Sequence, residues 1–554
     1  MFVPRPWLDE RVLVHDADLV VVDKPRGIAV HGGDEALADD VVHRLGAWLE
    51  ARGEPTHLGV HQRLDKEASG VLVFTRRREV APLVARDVES HAALRTYLAL
   101  VSDPGLGESG RLEHRLEHEK GGRTRAVSRG GQLAVSRYRV LARRSGRALV
   151  ELSPETGRTH QLRAQLAEVG APIVGDRLYG GARAPRLFLH ARRLELPSLG
   201  RVFEAEEPAS FRRWLETGAA ELGEPSTVAR ALADACVLRY ALFARASAFR
   251  LCNGDGDGLP DVVVDRYGDF AVLAVSSDVA RERARELARE LTSLGAEGVY
   301  LKIRERADTR RVDLAKNAPK DPIAGSPAPD PLVVHEGELR FSVRLGEGLS
   351  TGLFVDQRDN RALLARQARG ARVLNLFAYT GSFSVAAAAG GAREVTSVDL
   401  SAPALERAAR AFEENGLVAL PHRRLTEDCV AWLARAKRKG ERFDWVVLDP
   451  PSFGTRGKRA TFDFEHDYVK VAADALALLA PGGRMLAVTN HKKTSRERFR
   501  KLLHEAARQA GVRVAQLKDL ASPLDCPDGA LGPTPMKSAL VTLAGESRRA
   551  GVLR

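Results

Sequence analysis

The stretch Val373–Asp399, VLNLFAYTGSFSVAAAAGGAREVTSVD, decides the fold class of this chain. A short apolar strand begins at Val373 and is followed by a glycine turn, a helix of small residues from Ser382 and a second strand that ends at Asp399. Such a strand–helix–strand start places backbone N–H groups and a helix N-terminus over a crevice at the strand ends. The sequence therefore predicts a parallel α/β sheet with a ligand site at its carboxyl edge.

The same turn indicates the kind of ligand. An acidic residue about 20 residues after the glycine turn is the usual partner of a ribose diol, and Asp399 has that spacing. Only Gly381 stands where a dinucleotide-binding turn carries three glycines, so a pyrophosphate would be poorly held. We expect a nucleoside without phosphates, and a plain structural α/β turn is the alternative.

Polar residues follow two further predicted strands of this sheet. The apolar run Phe443–Leu448 ends in DPPSF at positions 449–453, and the run Arg484–Val488 ends in TNHKK at positions 489–493. Because the carboxyl ends of parallel strands meet at one edge, both segments should border the nucleoside site. Asp428, after a short strand-like segment, is a further candidate for this edge.

This half of the chain resembles the class I S-adenosylmethionine-dependent methyltransferases. The likeness runs from about residue 249 to 545 and is carried by the blocks VVDRYGD, LKIRER, STGLFVDQR, LNLFAYTGS, GGAREVTSVDLS, EDCVAWL, FDWVVLDPPSFG, TFDFEHDY and TNHKK. The last two blocks are closest to the guanine-N7 methyltransferases of the RlmK type, whereas the sister RlmI-type cytosine methyltransferases share much of the rest. The resemblance implies S-adenosylmethionine as cofactor and large-subunit rRNA as substrate.

The resemblance also implies a set of site residues. It assigns the cofactor ribose to Asp399 and the adenine to Asp428. It places Asp449 and Phe453 against the methyl group and the target base, so these two are catalytic candidates, and Asp449 also counts as a cofactor contact. The other cofactor-binding candidates lie in or beside the glycine turn: Asn375, Phe377, Tyr379, Gly381 and Ser382.

The methyl acceptor atom can be argued from the cysteines. C5 of cytosine is a poor nucleophile until a cysteine adds at C6. The DPPSF and TNHKK segments contain no cysteine, and the chain has only four, at positions 236, 252, 429 and 526. N7 of guanine already carries a lone pair and needs alignment, an aromatic face such as Phe453, and a carboxylate to offset the developing charge. The sequence favours guanine N7, with cytosine C5 as the alternative.

The first two hundred residues carry a different signature. Asp65 lies between Arg63 and Lys66 in a loop that joins two apolar strands. Neighbouring cations keep such a carboxylate ionised, as a nucleophile requires, although an ordinary surface turn would look the same. With the later blocks RTYLALV, GRTHQLR and GDRLYG, the region resembles the RluA family of RNA pseudouridine synthases over about residues 10–200.

This second resemblance implies a nucleophile, an aromatic contact and a cation. In the family these roles fall to the positions that are Asp65, Tyr97 and Arg158 here, with Arg158 pairing with the nucleophile. Tyr97 would face a uracil that has left its stack. No metal or cofactor is implied for this half. One departure is visible, because Gln62 interrupts the HRLD block of the family.

The length of 554 residues calls for more than one domain. We predict a pseudouridine synthase domain over residues 1–200, a linker or helical spacer over 201–245, a small supporting α/β module over 246–345 and a methyltransferase domain over 346–554. The expected fold class is α/β and multidomain. The front domain should be mixed α/β with an antiparallel central sheet, and the rear domain should be Rossmann-like.

Charge and cysteine content bound the partners. The chain has 85 Lys+Arg against 73 Asp+Glu, a net charge of +12, which favours nucleic acid as partner. An arginine-rich composition inherited from a GC-rich genome would give the same excess. No CxxC pair is present, so neither a zinc ribbon nor a disulfide framework is expected, which suits a reducing cytoplasm. No 18-residue apolar run occurs, so we expect no membrane span.

One motif invites a metal site. The segment Asn253–Gly258, NGDGDG, resembles the start of a calcium loop, but Val264 stands where the twelfth-position carboxylate is needed. We therefore expect a tight turn and no metal.

The sequence as a whole predicts a cytoplasmic enzyme with two RNA-modifying sites, one that isomerises uridine and one that methylates a base. Two alternatives remain: an RNA-binding ribosome-assembly factor with one inactive site, and a small-molecule methyltransferase fused to a synthase.

Overall fold

The computed structural model of the chain describes residues 2–32, 39–119, 122–219, 222–304, 314–456, 459–527 and 536–545. The elements of the front third are β1 Val12–His15, β2 Leu19–Lys24, α1 Val41–Glu50, β3 Gly59–Val60, β4 Ser69–Thr75, α2 Ala81–Glu89, β5 Leu94–Ser102, β6 Ser109–His118, β7 Thr124–Val127, β8 Gln132–Arg144, β9 Arg147–Pro154, α3 Gln161–Glu168, β10 Leu189–Leu196, β11 Arg201–Glu204, α4 Ala209–Thr217, α5 Pro225–Leu238 and α6 Tyr240–Phe243.

The front strands form one large sheet, in the order β1-β2-β4-β10-β5-β9-β8-β6-β7, with β3 beside β4 and β11 beside β10. Its neighbouring strands run antiparallel except β4 and β10, which are parallel. Strand β4 is buried along its whole length because helices cover both faces there. Its Leu72 packs towards Trp48 of α1, and its Val73 packs on the other side towards Val84 of α2. The predicted mixed α/β domain with an antiparallel sheet is confirmed.

The middle of the chain adds a smaller sheet. Its elements are β12 Ala248–Asn253, β13 Val262–Tyr267, β14 Phe270–Val275, α7 Asp278–Glu282, α8 Ala284–Ser293, β15 Gly298–Ile303, α9 Leu314–Asn317, β16 Ala324–Gly325, β17 Leu332–Glu336 and β18 Leu339–Val343. Helices α5 and α8 cover one face of the β12–β16 sheet, where Leu232 and Leu287 share a core with Leu273. The opposite face, with Tyr267 and Val272, packs against the rear of the chain. The domain boundaries predicted after residues 200, 245 and 345 remain a prediction.

The rear third has alternating helices and strands: α10 Arg358–Gln367, β19 Arg372–Leu376, α11 Ser382–Ala389, β20 Glu394–Asp399, α12 Ala402–Glu414, β21 His422–Thr426, α13 Cys429–Arg438, β22 Phe443–Leu448, β23 Phe453–Arg456, β24 Arg459–Asp463, α14 Phe464–Ala477, β25 Leu479–Thr489, α15 Arg496–Gln509, β26 Val514–Leu520 and β27 Lys537–Leu543. The sheet order is β21-β20-β19-β22-β25-β27-β26. The first five of these strands are parallel, and β27 is antiparallel to both of its neighbours. The order reverses between β19 and β22, and such switch points form ligand crevices.

Candidate active sites

The front third contains a cavity of about 790 Å³ beside the loop that follows β3. Its lining includes all three sequence-predicted residues and two that the sequence reasoning did not single out: Asp65, Tyr97, Arg158, His160 and Arg163.

The loop that carries Asp65 is held by a buried lysine. The Nζ of Lys24 donates to the carbonyls of Pro25, Ile28 and Lys66 at 2.9, 3.0 and 3.1 Å. Lys24 is fully buried, and this burial lowers its pKa to about 7. Because three carbonyls converge on one ammonium, the backbone on the C-terminal side of Asp65 has a fixed position.

Asp65 is paired with Arg163, not with Arg158 as the sequence predicted. The Nη1 of Arg163 donates to Oδ2 of Asp65 at 3.0 Å, and its Nε and Nη2 donate to the fully buried Asp176 at 2.7 and 2.8 Å. Arg158 directs its Nε to the carbonyl of Leu133 at 3.2 Å, although it lines the same cavity. Burial acts against the charge of Arg163, yet the two carboxylates raise its pKa.

The local backbone explains this correction. Helix α3 begins at Gln161, directly after His160, whose φ of 53° is left-handed. Arg158 lies before that turn, whereas Arg163 lies in the first helical turn and is packed inward. The GRTHQLR block shows both arginines, but the sense of the turn between them decides which one faces Asp65.

His160 borders Asp65 from the other side. Its Nε2 is 3.9 Å from Oδ1 of Asp65, and its Nδ1 is 3.1 Å from the hydroxyl of Tyr179. Burial lowers the pKa of His160, so the ring is neutral at physiological pH. Tyr97, on β5, completes the wall, and burial raises the pKa of its phenol, which therefore keeps its proton. The cavity thus joins a carboxylate held by one cation to an aromatic surface.

The rear third contains a cavity of about 360 Å³ at the carboxyl ends of β19, β20 and β22. Six of the predicted cofactor or catalytic residues line it: Phe377, Tyr379, Ser382, Asp399, Asp428 and Asp449.

The glycine turn above β19 is strained and is held by Asp399. Phe377 and Tyr379 both have left-handed backbones, with φ of 56° and 50°. Oδ2 of Asp399 accepts from the N–H of Tyr379 at 2.9 Å, and Oδ1 accepts from the N–H of Ser401 at 2.8 Å. Strain of this kind persists at ligand sites when the surroundings enforce it. Asp399 therefore shapes the turn and also borders the cavity.

Two predicted cofactor residues lie behind the cavity and not on its wall. Asn375 is buried and donates from Nδ2 to Oγ of Ser384 at 2.9 Å. Gly381 has a φ of 74°, and a Cβ there would come within 2.6 Å of the Cβ of Ala408. Both support the turn from inside, because a polar side chain on a buried strand and a glycine at a close helix contact have no room to face a ligand.

The structure describes the side chain of Asp428 but only part of the predicted aromatic wall. Oδ1 of Asp428 accepts from the N–H of Ala431 at 2.9 Å and caps α13, while the residue also lines the cavity. The side chain of Phe453 lies outside the described part of the structure. The buried Phe462 lines the cavity instead, with its ring 5.5 Å from that of Phe377. Sequence reasoning missed Phe462, because its hairpin is not visible in the pattern.

Two carboxylates face the cavity together. Burial, and then the nearby Asp356, raises the pKa of Asp449 to about 7. Burial also raises the pKa of Asp356. Arg361, the neighbouring cation, is bonded to Glu336, with its Nε 2.8 Å from the carboxylate. The pair can therefore accept a positively charged ligand with release of a proton.

The two polar strand ends are joined to each other. Oγ of Ser452 donates to Oδ1 of Asn490 at 2.9 Å, which links the DPPSF and TNHKK segments. The Nζ of Lys537 donates to the carbonyl of His491 at 2.9 Å, and the His491 ring stacks on Phe464 at 4.8 Å. The two segments are therefore held together at this edge of the cavity, as the sequence predicted from the strand ends.

The Asn253–Gly258 segment is a short helical turn in which Asp257 forms an ion pair with the buried Arg239. Within the described ranges, no group of three or more potential metal ligands has suitable geometry. Among the described helices, none has the length and apolar character that crossing a membrane requires.

Comparison with known proteins identifies both halves. A family model for S-adenosylmethionine-dependent methyltransferases matches residues 252–541. The chain belongs to this family. A model for RNA pseudouridylate synthases matches residues 18–168. The chain is therefore an enzyme with an RNA pseudouridylate synthase domain in front of an S-adenosylmethionine-dependent methyltransferase domain, and both predicted resemblances are confirmed.

Several relatives that match the rear half of the chain are named as methyltransferases. A ribosomal RNA large subunit methyltransferase of Deinococcus radiodurans is 34% identical over 55% of this chain and 76% of its own length. Ribosomal RNA large subunit methyltransferase I of Aeromonas salmonicida is 36% identical over 50% of this chain and 69% of its own. A methyltransferase solved in complex with SAH is 28% identical, with a TM-score of 0.52 over 58% of this chain and 83% of the other. S-Adenosylmethionine is thus the cofactor of the rear half.

Proposed function

We propose that the front cavity isomerises uridine in RNA with Asp65 as the nucleophile. The observation that carries this proposal is the Asp65–Arg163 pair beside Tyr97 in one open cavity. Arg163 keeps the carboxylate anionic and aimed, because its other two bonds fix it to the buried Asp176. Tyr97 offers an aromatic face to an extruded base. Arg158, free of the nucleophile, would contact RNA from the cavity wall.

For the rear cavity we propose that Asp399 holds the cofactor ribose and Asp428 the adenine. The chemistry of the site fits the cofactor, because Asp449 and Asp356 offer carboxylates to a cationic ligand. S-Adenosylmethionine, when bound, supplies an electrophilic methyl group on a sulfonium sulfur. The chain's own residues then align the acceptor base between Asp449 and the aromatic wall that includes Phe462.

We propose guanine N7 as the acceptor, with large-subunit rRNA as substrate. The support is the placement of all four cysteines, each of which is buried. Cys429 borders the cavity, but its thiol donates to the carbonyl of Val398, and burial raises the pKa of this thiol. The other three do not line the cavity, and this arrangement disfavours the thiolate addition that cytosine C5 methylation requires. The relatives named for large-subunit rRNA favour that substrate, and rRNA modification would place the enzyme in the cytoplasm.

Nucleoside mass spectrometry tests the acceptor atom. The purified chain is incubated with large-subunit rRNA and S-adenosylmethionine, and the digested RNA is analysed. We expect 7-methylguanosine, formed equally by wild type and by Cys429→Ala, because the acceptor needs no cysteine adduct. Formation of 5-methylcytidine that disappears in Cys429→Ala would establish the cytosine alternative.

The remaining alternatives give different results in the same assay. An assembly factor with one silent site would form only one of the two modified nucleosides. A small-molecule methyltransferase would consume S-adenosylmethionine with a metabolite and leave the RNA unmethylated.

A further inference from the structure

A second cavity of the front third lies behind the uridine site. It has a volume of about 420 Å³ and is enclosed by the back of the β4–β10 pair, by α4 and α5, and by the turn at Gly258. We name it the junction cavity. Successive residues of β10 separate the two spaces, since Leu189 lines the uridine site and His190 lines the junction cavity. Neighbouring side chains on a strand point to opposite faces, so the junction cavity is not part of the uridine site.

Four of the five carboxylates on its wall form ion pairs with an arginine, and the fifth is Glu206. Asp23 and Asp234 both accept from the guanidinium of Arg11, at 2.5 and 2.5 Å. Asp257 pairs with Arg239 at 2.6 Å, outside the cavity wall. Glu207 likewise pairs with a neighbour that does not line the cavity, Arg212, at 2.9 Å. These four acids are therefore held by Arg11, Arg239 and Arg212, and Glu206 is the acid that remains for the other cations of the wall.

Two arginines of the wall have only neutral partners. Arg26 donates from Nη2 to the carbonyl of Gly256 at 2.6 Å and from Nη1 to the carbonyl of Pro185. Arg186 donates from Nη2 to Oγ of Ser69 at 2.5 Å and from Nε to a backbone carbonyl at 3.1 Å. No carboxylate in the described ranges lies within ion-pair distance of either guanidinium. Burial, and then the charge of Arg26, lowers the pKa of Arg186 to about 9.

Two further arginines enlarge the positive surface. Arg213 of α4 lines the cavity, and Arg230 of α5 reaches Asp234 only at 3.8 Å. A half-enclosed space with several cations and few free acids is costly unless an anion enters. Guanidinium groups bind the oxygens of a phosphate with two parallel hydrogen bonds, which makes this group the best match.

We propose that the junction cavity is a binding site for a phosphate group, held by Arg26, Arg186 and Arg213. The phosphate belongs either to a small free anion or to the backbone of bound RNA. Because Arg26 also bonds Gly256 of the middle module, an occupied site would fasten the front sheet to that module. The proposal is independent of the reaction assigned to either active site.

Thermal unfolding of the full chain in inorganic phosphate tests the site, with ionic strength held constant by potassium chloride. We expect a saturable rise in Tm for wild type, because a ligand of the native state stabilises it. Arg186→Gln and Arg213→Gln should each raise the half-saturating phosphate concentration about tenfold. Arg289→Gln, at an exposed position of α8 that does not line the cavity, is the matched control and should behave as wild type. If Arg186→Gln fails to fold, Arg213→Gln carries the test.

A competition experiment separates the two sources of phosphate. If RNA supplies the group, Arg213→Gln weakens binding of a short labelled RNA, Arg289→Gln does not, and phosphate displaces the RNA. If a free anion supplies it, both variants bind the RNA as wild type does. An identical half-saturating concentration in wild type and all variants, or no saturable rise in Tm, would overturn the proposal.

Discussion

Replacing Arg163 by lysine is the sharpest perturbation of the uridine site. Arg163 makes three bonds, one to Asp65 and two to the buried Asp176. A lysine keeps the charge beside Asp176 but cannot serve both carboxylates, because its ammonium is a single point on a flexible stem. Losing a hydrogen bond between charged groups costs about 1.5–3 kcal/mol. If the transition state needs that bond, the rate should fall about 10- to 150-fold.

The assay is single-turnover formation of pseudouridine, which isolates chemistry from RNA release. Arg158→Lys is the matched control, since it alters a second arginine of the same cavity without touching the nucleophile. We expect it to change the rate constant at saturation less than threefold and to act mainly on RNA affinity. Circular dichroism checks that Arg163→Lys is folded. We choose lysine and not glutamine at this position, because Arg163→Gln would leave the buried Asp176 unpaired at a cost of about 3–5 kcal/mol. A full rate with Arg163→Lys and a large loss with Arg158→Lys would refute our assignment.

Three further predictions concern the rear site. Because the pKa of Asp449 is raised to about 7, its carboxyl group is protonated below that pH. The sulfonium cofactor should therefore bind more tightly as the pH rises from 6 to 8. Calorimetry should show this dependence, and Asp449→Asn should remove it. Asp399→Ala should weaken cofactor binding at least about tenfold by the same measurement, since it removes the bond that holds the turn and the ribose contact that we propose. Gly381→Ala should destabilise the fold by about 1–3 kcal/mol in urea, because its Cβ would meet Ala408, whereas Gly416→Ala, with a similar φ and open space, should cost less.

The sequence was sufficient for those features that periodicity and strand ends determine. The strand–turn–helix from Val373 predicted the parallel sheet, and the polar residues at the carboxyl ends of β20 and β22 predicted the cavity wall at Asp399 and Asp449. Alternation cannot reveal contacts made across the fold. Asn375 looks like a site residue by position, but its strand is buried on both faces.

The partner of Asp65 shows the same limit in another form. Arg158 and Arg163 are five residues apart, and only the left-handed turn at His160 decides which one meets Asp65. Helix α5 is a further example, because its Leu232 packs into the core of the middle sheet, a contact that the sequence does not reveal. Both contacts depend on packing between residues that are far apart in the chain, and a single sequence does not show such packing.

The central claim is that one chain carries two independent RNA-modifying sites. Mass mapping of rRNA from a deletion strain, complemented with wild type, Asp65→Asn or Asp399→Ala, tests it most directly. We predict that the deletion lacks one pseudouridine and one 7-methylguanosine, that Asp65→Asn restores only the methyl mark, and that Asp399→Ala restores only the pseudouridine. Unchanged rRNA in the deletion strain, or the loss of both marks with either variant, would contradict it.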